Sequence, residues 1–303
     1  MVSAVIITHN RCELLGRAIE SVLNQTYRDI ELIVVSDGST DGTDDLMKQY
    51  SENPIVRYVS YKPGRGGNYA RNQGIINSKG DYVAFLDDDD EWVSNKIEKQ
   101  CSILDNNPEV GLVYTAVKSI YVNEKLSYNF YPKYVGDLSK TILFGNCIGT
   151  TSSVMVRKEL LLGDMFDEKL RALQDFELWI RLCQRTKVAA CQDVLLLYYN
   201  QTAKKQITSN TTIFEESIDY ITNKHSNLLD KLDAEEQKEL FVSRKLEYAQ
   251  RCIRNGQTSK ARNLAVEALK CKITKSALVF YLSSFFSMEF ILRIRCLLSN
   301  KQI

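Results

Sequence analysis

Four short apolar runs within the first 86 residues, Val5-Ile6-Ile7, Ile30 to Ser36, Val56 to Tyr61 and Tyr82 to Leu86, alternate with segments patterned for helices. Such alternation points to an α/β sheet of mostly parallel strands, since each helical crossover carries the chain back to start the next strand in the same direction. Asn10 reads as an N-cap with Glu13 as its capping-box partner. Leu14, Leu15, Ala18, Ile19, Val22 and Leu23 come next at helical spacing, which predicts a helix over about 11–25. Further helices are expected near 44–51, 69–77, 94–106 and 175–185, with strands near 111–121 and 188–199. The stretch 149–161 reads as a turn, a strand and the start of a helix.

Each of three early strands ends in polar residues. Thr8-His9-Asn10 stands after the first, Asp37 with Asp41 after the second, and the run Asp87 to Asp90 after the fourth. In open α/β sheets ligands bind beyond the carboxyl ends of the strands, so these three clusters are expected at one edge. Four adjacent carboxylates repel and raise one another's pKa, so they call for a cation or a nearby base. Mg²⁺ or Mn²⁺ takes hard oxygen ligands and is commonly held by one or two carboxylates together with substrate phosphates. Read in isolation, the same run is a solvated loop that caps the next helix. Its place directly after a core strand favours the ligand reading.

Charge and cysteine usage narrow the partners. The 303 residues carry 39 Lys and Arg against 38 Asp and Glu, a formal +1, which gives no footprint for nucleic acid. Eight cysteines lack CxxC pairing and there are only two histidines, so zinc-site spacing is absent and reduced thiols in a cytoplasmic protein are expected. The N-terminus reads as a core strand and not as a signal peptide. After the polar segment 200–210 the pattern turns wholly helical, and a boundary is placed there, giving units of 1–205 and 206–303. From 240 onward twelve basic residues face three acids, a local +9. Within this segment 277–298 is strongly apolar but interrupted by serines and charges, too broken for a bilayer span. Two readings stay open: an amphipathic helix on an anionic membrane surface, or a helical hairpin packed on the main domain.

The motifs "VIITHNR", "SVLNQTY", "IELIVVSDGSTDGT", "ARNQGI", "KGDYVAFLDDDDEW" and "LQDFELWIRL" occur in order over residues 3 to about 200. In that order and spacing they resemble the inverting family 2 glycosyltransferases. The resemblance implies a GT-A fold: a Rossmann-like, mostly parallel central sheet flanked by helices, here with a C-terminal helical region. It implies that Asp37 recognises the nucleotide base, normally uracil, with Thr8, Asn10 and Arg11 of the first loop assisting, and that Arg71 sits near the diphosphate. It places the DXD motif on Asp87 and Asp89 as hosts of Mn²⁺ or Mg²⁺ and the ribose. Asp88 joins the nucleotide-contacting group and pairs with Asp90 in the alternative frame. It makes Asp175 the catalytic base, expected to stay ionised at a helix N-terminus, while Gln174 replaces the acid usual before it.

The histidine common in the loop after the last strand is missing, and Lys204 or Lys205 is the substitute offered for holding phosphate. The QxxRW signature of processive relatives is also missing, which implies one sugar per encounter. The resemblance further implies transfer of a sugar, from a UDP-sugar, to a glycan hydroxyl. Together with the basic, apolar tail it suggests an acceptor that is lipid-linked at the cytoplasmic membrane, in bacterial surface-polysaccharide synthesis. A catalytically silent binder of nucleotide sugar or glycan is the alternative, and the intact acids at 87, 89 and 175 argue against it. A nicotinamide enzyme is disfavoured because "GRGGNYA" (64–70) lacks the third glycine and does not follow the first strand. Trp92 and Trp179 are expected as core anchors, and His9 has no role assigned.

Overall fold

The computed structural model describes residues 1–200 and 211–299. Its sheet has nine strands: β1 (Val2–Thr8), β2 (Ile30–Asp37), β3 (Val56–Tyr61), β4 (Tyr82–Asp87), β5 (Glu91–Trp92), β6 (Val110–Tyr121), β7 (Leu126–Phe130), β8 (Val154–Arg157) and β9 (Lys187–Asn200). The spatial order is β3-β2-β1-β4-β8-β6-β9-β5, with β7 paired to β6. The first four strands in that order are parallel neighbours, as the alternation implied. Beyond β4 the sheet becomes mixed: β8 runs antiparallel to both β4 and β6, while β6 and β9 are parallel. The antiparallel insertion follows from the approach into β8, which needs no helical crossover.

Helices α1 (Cys12–Leu23), α2 (Thr43–Lys48), α3 (Gly67–Asn77), α4 (Lys96–Asp105), α5 (Lys158–Gly163) and α6 (Gln174–Cys183) flank the sheet. The period-2 rule sorts the strands onto two cores. Ala4, Ile6, Ala84 and Leu86 pack with Leu15 and Ile19 of α1 and Ile97 and Leu104 of α4. Val5, Val83 and Phe85 turn to the other face, against Ile75 of α3 and Phe176 and Trp179 of α6. Gly74 of α3 is required here, because a Cβ at that position would lie 2.2 Å from Val5 Cγ1.

The later helices are α7 (Thr211–Lys224), α8 (Ser226–Leu229), α9 (Ala234–Arg254), α10 (Thr258–Cys271), α11 (Lys275–Ser283) and α12 (Met288–Ser299). Phe214, Ile221, Ala249 and Cys252 join the cluster that holds α6, and Leu292 of α12 packs on Tyr121 and Tyr128. The expected division between 205 and 206 lies outside the described residues. The apolar 277–298 stretch forms two helices, not one, because the serine-rich segment between Ser283 and Met288 interrupts it.

The charge of this region is distributed differently from its count. Lys245, Lys260, Lys272 and Arg293 are ion-paired to acids of the same chain, while Arg244 and Arg251 are partly buried. Trp92 and Trp179 are buried, and their indole N–H groups donate to the Ser152 and Gly149 carbonyls. Both are core anchors, as expected.

Candidate active site

β1 lies between β2 and β4, with Thr8 opposite Ser36 and Ile7 opposite Asp87, so the polar clusters beyond these three strands share one edge. Asp37 is buried there, and its carboxylate accepts the amides of Arg65 at 2.6 Å and Gly66 at 2.8 Å. The glycine-rich stretch after β3 is therefore a carboxylate cradle leading into α3. The turn leaves no room above Gly38, whose φ is +70° and whose added Cβ would meet Gly64 N at 2.3 Å. His9 Nδ1 approaches the Asp37 carbonyl at 2.5 Å.

Asn10 is not the cap of α1. It sits at φ +52°, and its Oδ1 accepts the Thr40 amide at 2.7 Å. The cap role goes instead to Asp41 from the loop after β2, whose Oδ2 accepts the Cys12 amide at 2.9 Å. Burial opposes this, but the Cys12 amide and the Thr43 hydroxyl and amide hold Asp41 at about 2. The sequence window around Asn10 holds no trace of this, because the competing carboxylate is 31 residues away in the chain.

The acid run divides by access. Asp88 and Asp90 are 4% and 0% exposed, whereas Asp87 and Asp89 are partly open. Of the two possible frames, 87/89 is the one open at the edge. Arg71 Nη2 of α3 pairs with Asp87 Oδ1 at 2.7 Å, and Arg11 Nη1 bridges Asp88 Oδ1 at 3.1 Å and Asp89 Oδ2 at 2.9 Å. Arg17 Nη2 donates to the Asp89 carbonyl at 2.6 Å, and Asp90 Oδ1 accepts the Tyr199 amide at 3.2 Å. Burial pushes Asp88 up to about 6 against the pull of Arg11. It also raises Asp89, with Asp87 adding to the effect, and holds Asp90 well above the usual carboxylate range. The run thus offsets its charge by pairing with two arginines, while burial raises the pKa of its inner members.

Asp87 and Asp89 supply hard oxygens that suit Mg²⁺ or Mn²⁺ where substrate phosphates complete the shell. Among the described residues no group of three or more acidic, histidine or cysteine side chains is assembled as a metal cage. The protein's share of such a site is two carboxylates.

Asp175 stands in the first turn of α6, after Leu173 in the left-handed region at φ +59°. Its Oδ1 accepts the Phe176 amide at 2.8 Å and its Oδ2 the Asn146 amide nitrogen at 3.3 Å. Burial raises its pKa, against the Phe176 amide, Arg71 and Arg251, and Asp87 raises it further. The helix N-terminus stabilises this carboxylate through the Phe176 amide, while desolvation pulls the other way and sets the net direction upward. The charges that act on Asp175 tie it to the same edge as Arg71 and Asp87.

Sequence reasoning missed several supports. Ser152 Oγ accepts the Asp87 amide at 3.1 Å. Asn68 Nδ2 holds the Asp167 and Leu170 carbonyls at 2.6 and 3.1 Å, and Asn72 holds Phe166. Asn146 comes from a loop without readable pattern, and Arg251 comes from α9, whose charge read as surface. Asn72 lies inside "ARNQGI", on the helix that the pattern also marked near 69–77. Lys204 and Lys205 lie outside the described residues.

The sequence profile described as Glycosyl transferase family 2 matches residues 3–161. An uncharacterized glycosyltransferase of Haemophilus influenzae is 29% identical over 226 residues, covering 73% of this chain and 76% of its own. Among solved structures, S. aureus TarS 1-349 in complex with UDP-GlcNAc superposes with a TM-score of 0.66 at 16% identity, covering 97% of this chain and 87% of that one. The mannosyltransferase PcManGT from Pyrobaculum calidifontis, in complex with GDP-Man and Mn²⁺, gives 0.61 at 14% identity, covering 97% and 83%.

Proposed function

Because the chain belongs to glycosyl transferase family 2 and has the GT-A fold, we propose that it is an inverting glycosyltransferase that moves a sugar from a nucleotide-sugar donor to a glycan hydroxyl. The donor is a UDP-sugar and the acceptor a lipid-linked glycan of bacterial surface-polysaccharide synthesis. The similar structures support the donor class, one holding UDP-GlcNAc and the other GDP-Man with Mn²⁺. Residues 1–205 carry the chemistry in this reading.

The observation that carries the reading is Asp175. A carboxyl held from two sides, with its pKa raised, sits within electrostatic reach of Arg71 and Asp87. A sugar hydroxyl is a weak nucleophile at neutral pH, so a base must take its proton as the new bond forms. A carboxyl pushed up from the usual range accepts that proton better than an ordinary aspartate. In this reading Asp37 recognises the nucleoside with Thr8, Asn10 and Arg11 of the first loop assisting, Asp88 backs that loop through Arg11, and Arg71, paired with Asp87 at the open edge, lies near the diphosphate. A divalent cation on Asp87 and Asp89 would supply positive charge where the leaving diphosphate gains negative charge. With a single displacement the anomeric centre inverts, and an α-linked donor gives a β-linked product.

The exposed apolar residues on α11 and α12 and in the segments beside them support peripheral attachment to an anionic membrane. Ile273, Val279, Leu282, Phe285, Phe286 and Leu297 are exposed, with Lys270 and Lys275 nearby in the chain. No helix among the described residues is long and apolar enough to cross a membrane.

The test is release of nucleoside diphosphate from a panel of nucleotide sugars, with product analysis, for the wild type and Asp175→Asn. Transfer with inversion, lost in the variant while donor binding persists, is the expected result. Donor binding with no turnover for any sugar or acceptor would move the reading to a silent binding module.

A further inference from the structure

Arg244, Glu247, Arg251 and Arg254 follow one another on α9 at intervals of three, four and three, so they line one face of the helix. That face meets the candidate active site. The Arg244 guanidinium lies 5.1 Å from the ring of Phe176, the residue next to Asp175. Arg251 stacks 4.2 Å over Phe214, and its charge is felt at Asp175. Arg254, farther along, acts on Tyr121 and Tyr198 at the ends of β6 and β9.

The charges on this stripe do not balance. Glu247 is its one acid, 3.6 Å from Arg251. Arg244 Nη1 and Arg251 Nε are buried without a hydrogen-bond partner, and burial lowers the pKa of both groups. Unpaired buried donors and an uncompensated guanidinium are costly, and an oxyanion brought by a ligand offsets the cost with geometry suited to the arginine fork. The arginines that meet the acid run, Arg11 and Arg71, come from other elements, so the α9 stripe is a second cationic surface on the Asp175 side.

We propose that Arg244 and Arg251 seat an oxyanion, a phosphate or carboxylate carried by the acceptor close to the hydroxyl that Asp175 deprotonates. The assignment rests on the glycosyltransferase reading of Asp175 and names the class of acceptor: anionic, not neutral. The stripe then helps to select an acceptor and to orient its hydroxyl.

The test is thermal unfolding of the full chain against inorganic phosphate at constant ionic strength, with and without saturating UDP and Mg²⁺. It uses the wild type, Arg244→Met, Arg251→Met and the outer-face control Lys275→Met. Ligand that binds the folded state alone raises Tm with its concentration. Phosphate is expected to stabilise the wild type and Lys275→Met whether or not UDP is bound. Arg251→Met and Arg244→Met are each expected to need about tenfold more phosphate for the same shift, a loss on the scale of one charged contact. Each variant's response is read against its own Tm without phosphate, because Arg251→Met also removes the partner of Glu247.

A phosphate effect that disappears once UDP is bound would assign the anion to the donor diphosphate and overturn the acceptor assignment. So would an unchanged phosphate response in both methionine variants, or no response in the wild type. If Arg251→Met does not fold, Arg251→Lys must weaken the response, and an undiminished one overturns the proposal. Failure of UDP itself to bind would count against the donor reading, while the phosphate series without nucleotide still reports on the seat.

Discussion

Asn72 grips Phe166 from both sides of its peptide backbone: Nδ2 donates to the Phe166 carbonyl at 2.9 Å, and Oδ1 accepts the Phe166 amide at 2.9 Å. The side chain thus acts as a short stretch of partner strand. It fixes the segment that runs on to Asp175, while Arg71, one residue earlier, lies 5.5 Å from the Phe166 ring and reaches Asp87. One turn of α3 therefore sets the spacing between the acid run and the base.

Asn72→Ala leaves a buried carbonyl and a buried amide unpaired, and such losses cost about 1–3 kcal/mol each. Chemical denaturation should show the sum of the two losses, about 2–6 kcal/mol. Turnover should fall more than donor affinity, because the displaced segment leads to Asp175 and not to Asp37. A variant with wild-type stability and turnover would show that the clamp is idle.

Glu177, two residues beyond Asp175, is fully buried and accepts from His225 at 3.1 Å and from Arg181 at 2.9 Å. Lys224 lies 2.8 Å away. Burial alone would raise it, yet His225, Arg181 and Lys224 hold it at about 2, below its ordinary 4.5. A lowered folded-state pKa gives stability that is fully present above pH 4.5 and lost as pH falls towards 2. By linkage the loss is on the order of 3 kcal/mol. Unfolding measured as the pH is lowered from near neutral through this window should show the slope in the wild type, and Glu177→Gln should flatten it while lowering stability at neutral pH. An equal slope in the variant would place the acid sensitivity elsewhere.

The parallel half of the sheet was legible because its strands are unbroken apolar runs punctuated by polar turns, and that signal is local. The same holds for Asp37, Asp87 and Asp175, which stand at strand or helix ends that the pattern marks. The hidden features are made by chain-distant pairs. Asp41 displaces Asn10 as the cap of α1, and Ser152 braces Asp87 across 65 residues. Arg244 and Arg251 looked like members of a basic surface tail, since composition does not say which face of a helix meets the core. The frame of the acid run needed burial to separate Asp87 and Asp89 from Asp88 and Asp90.

Burial raises Asp175, and the base must be ionised to accept a proton. The pH profile of kcat/KM should therefore show an acidic limb at a pH above that of an ordinary aspartate, rising toward neutrality. Asp175→Asn should abolish the limb together with about 10²- to 10⁴-fold of the rate, the usual contribution of a positioned base. A variant that keeps both the rate and the limb would remove Asp175 from the chemistry.

Removal of residues 277–303 takes away most of the exposed apolar face of α11 and α12. Sedimentation with anionic phosphatidylserine vesicles should be lost in the truncated chain while nucleotide binding remains. Vesicle binding that survives the truncation would contradict the surface-helix account.

The most direct test of the central claim is calorimetric titration of UDP into the wild type and Asp89→Ala, with Mn²⁺ and with chelator. The account predicts binding that depends on Mn²⁺ in the wild type and is lost or strongly weakened in the variant. Equal heats in all four conditions, or no binding of UDP in any, would contradict the assignment of Asp87 and Asp89 as the acidic edge of a nucleotide-sugar site.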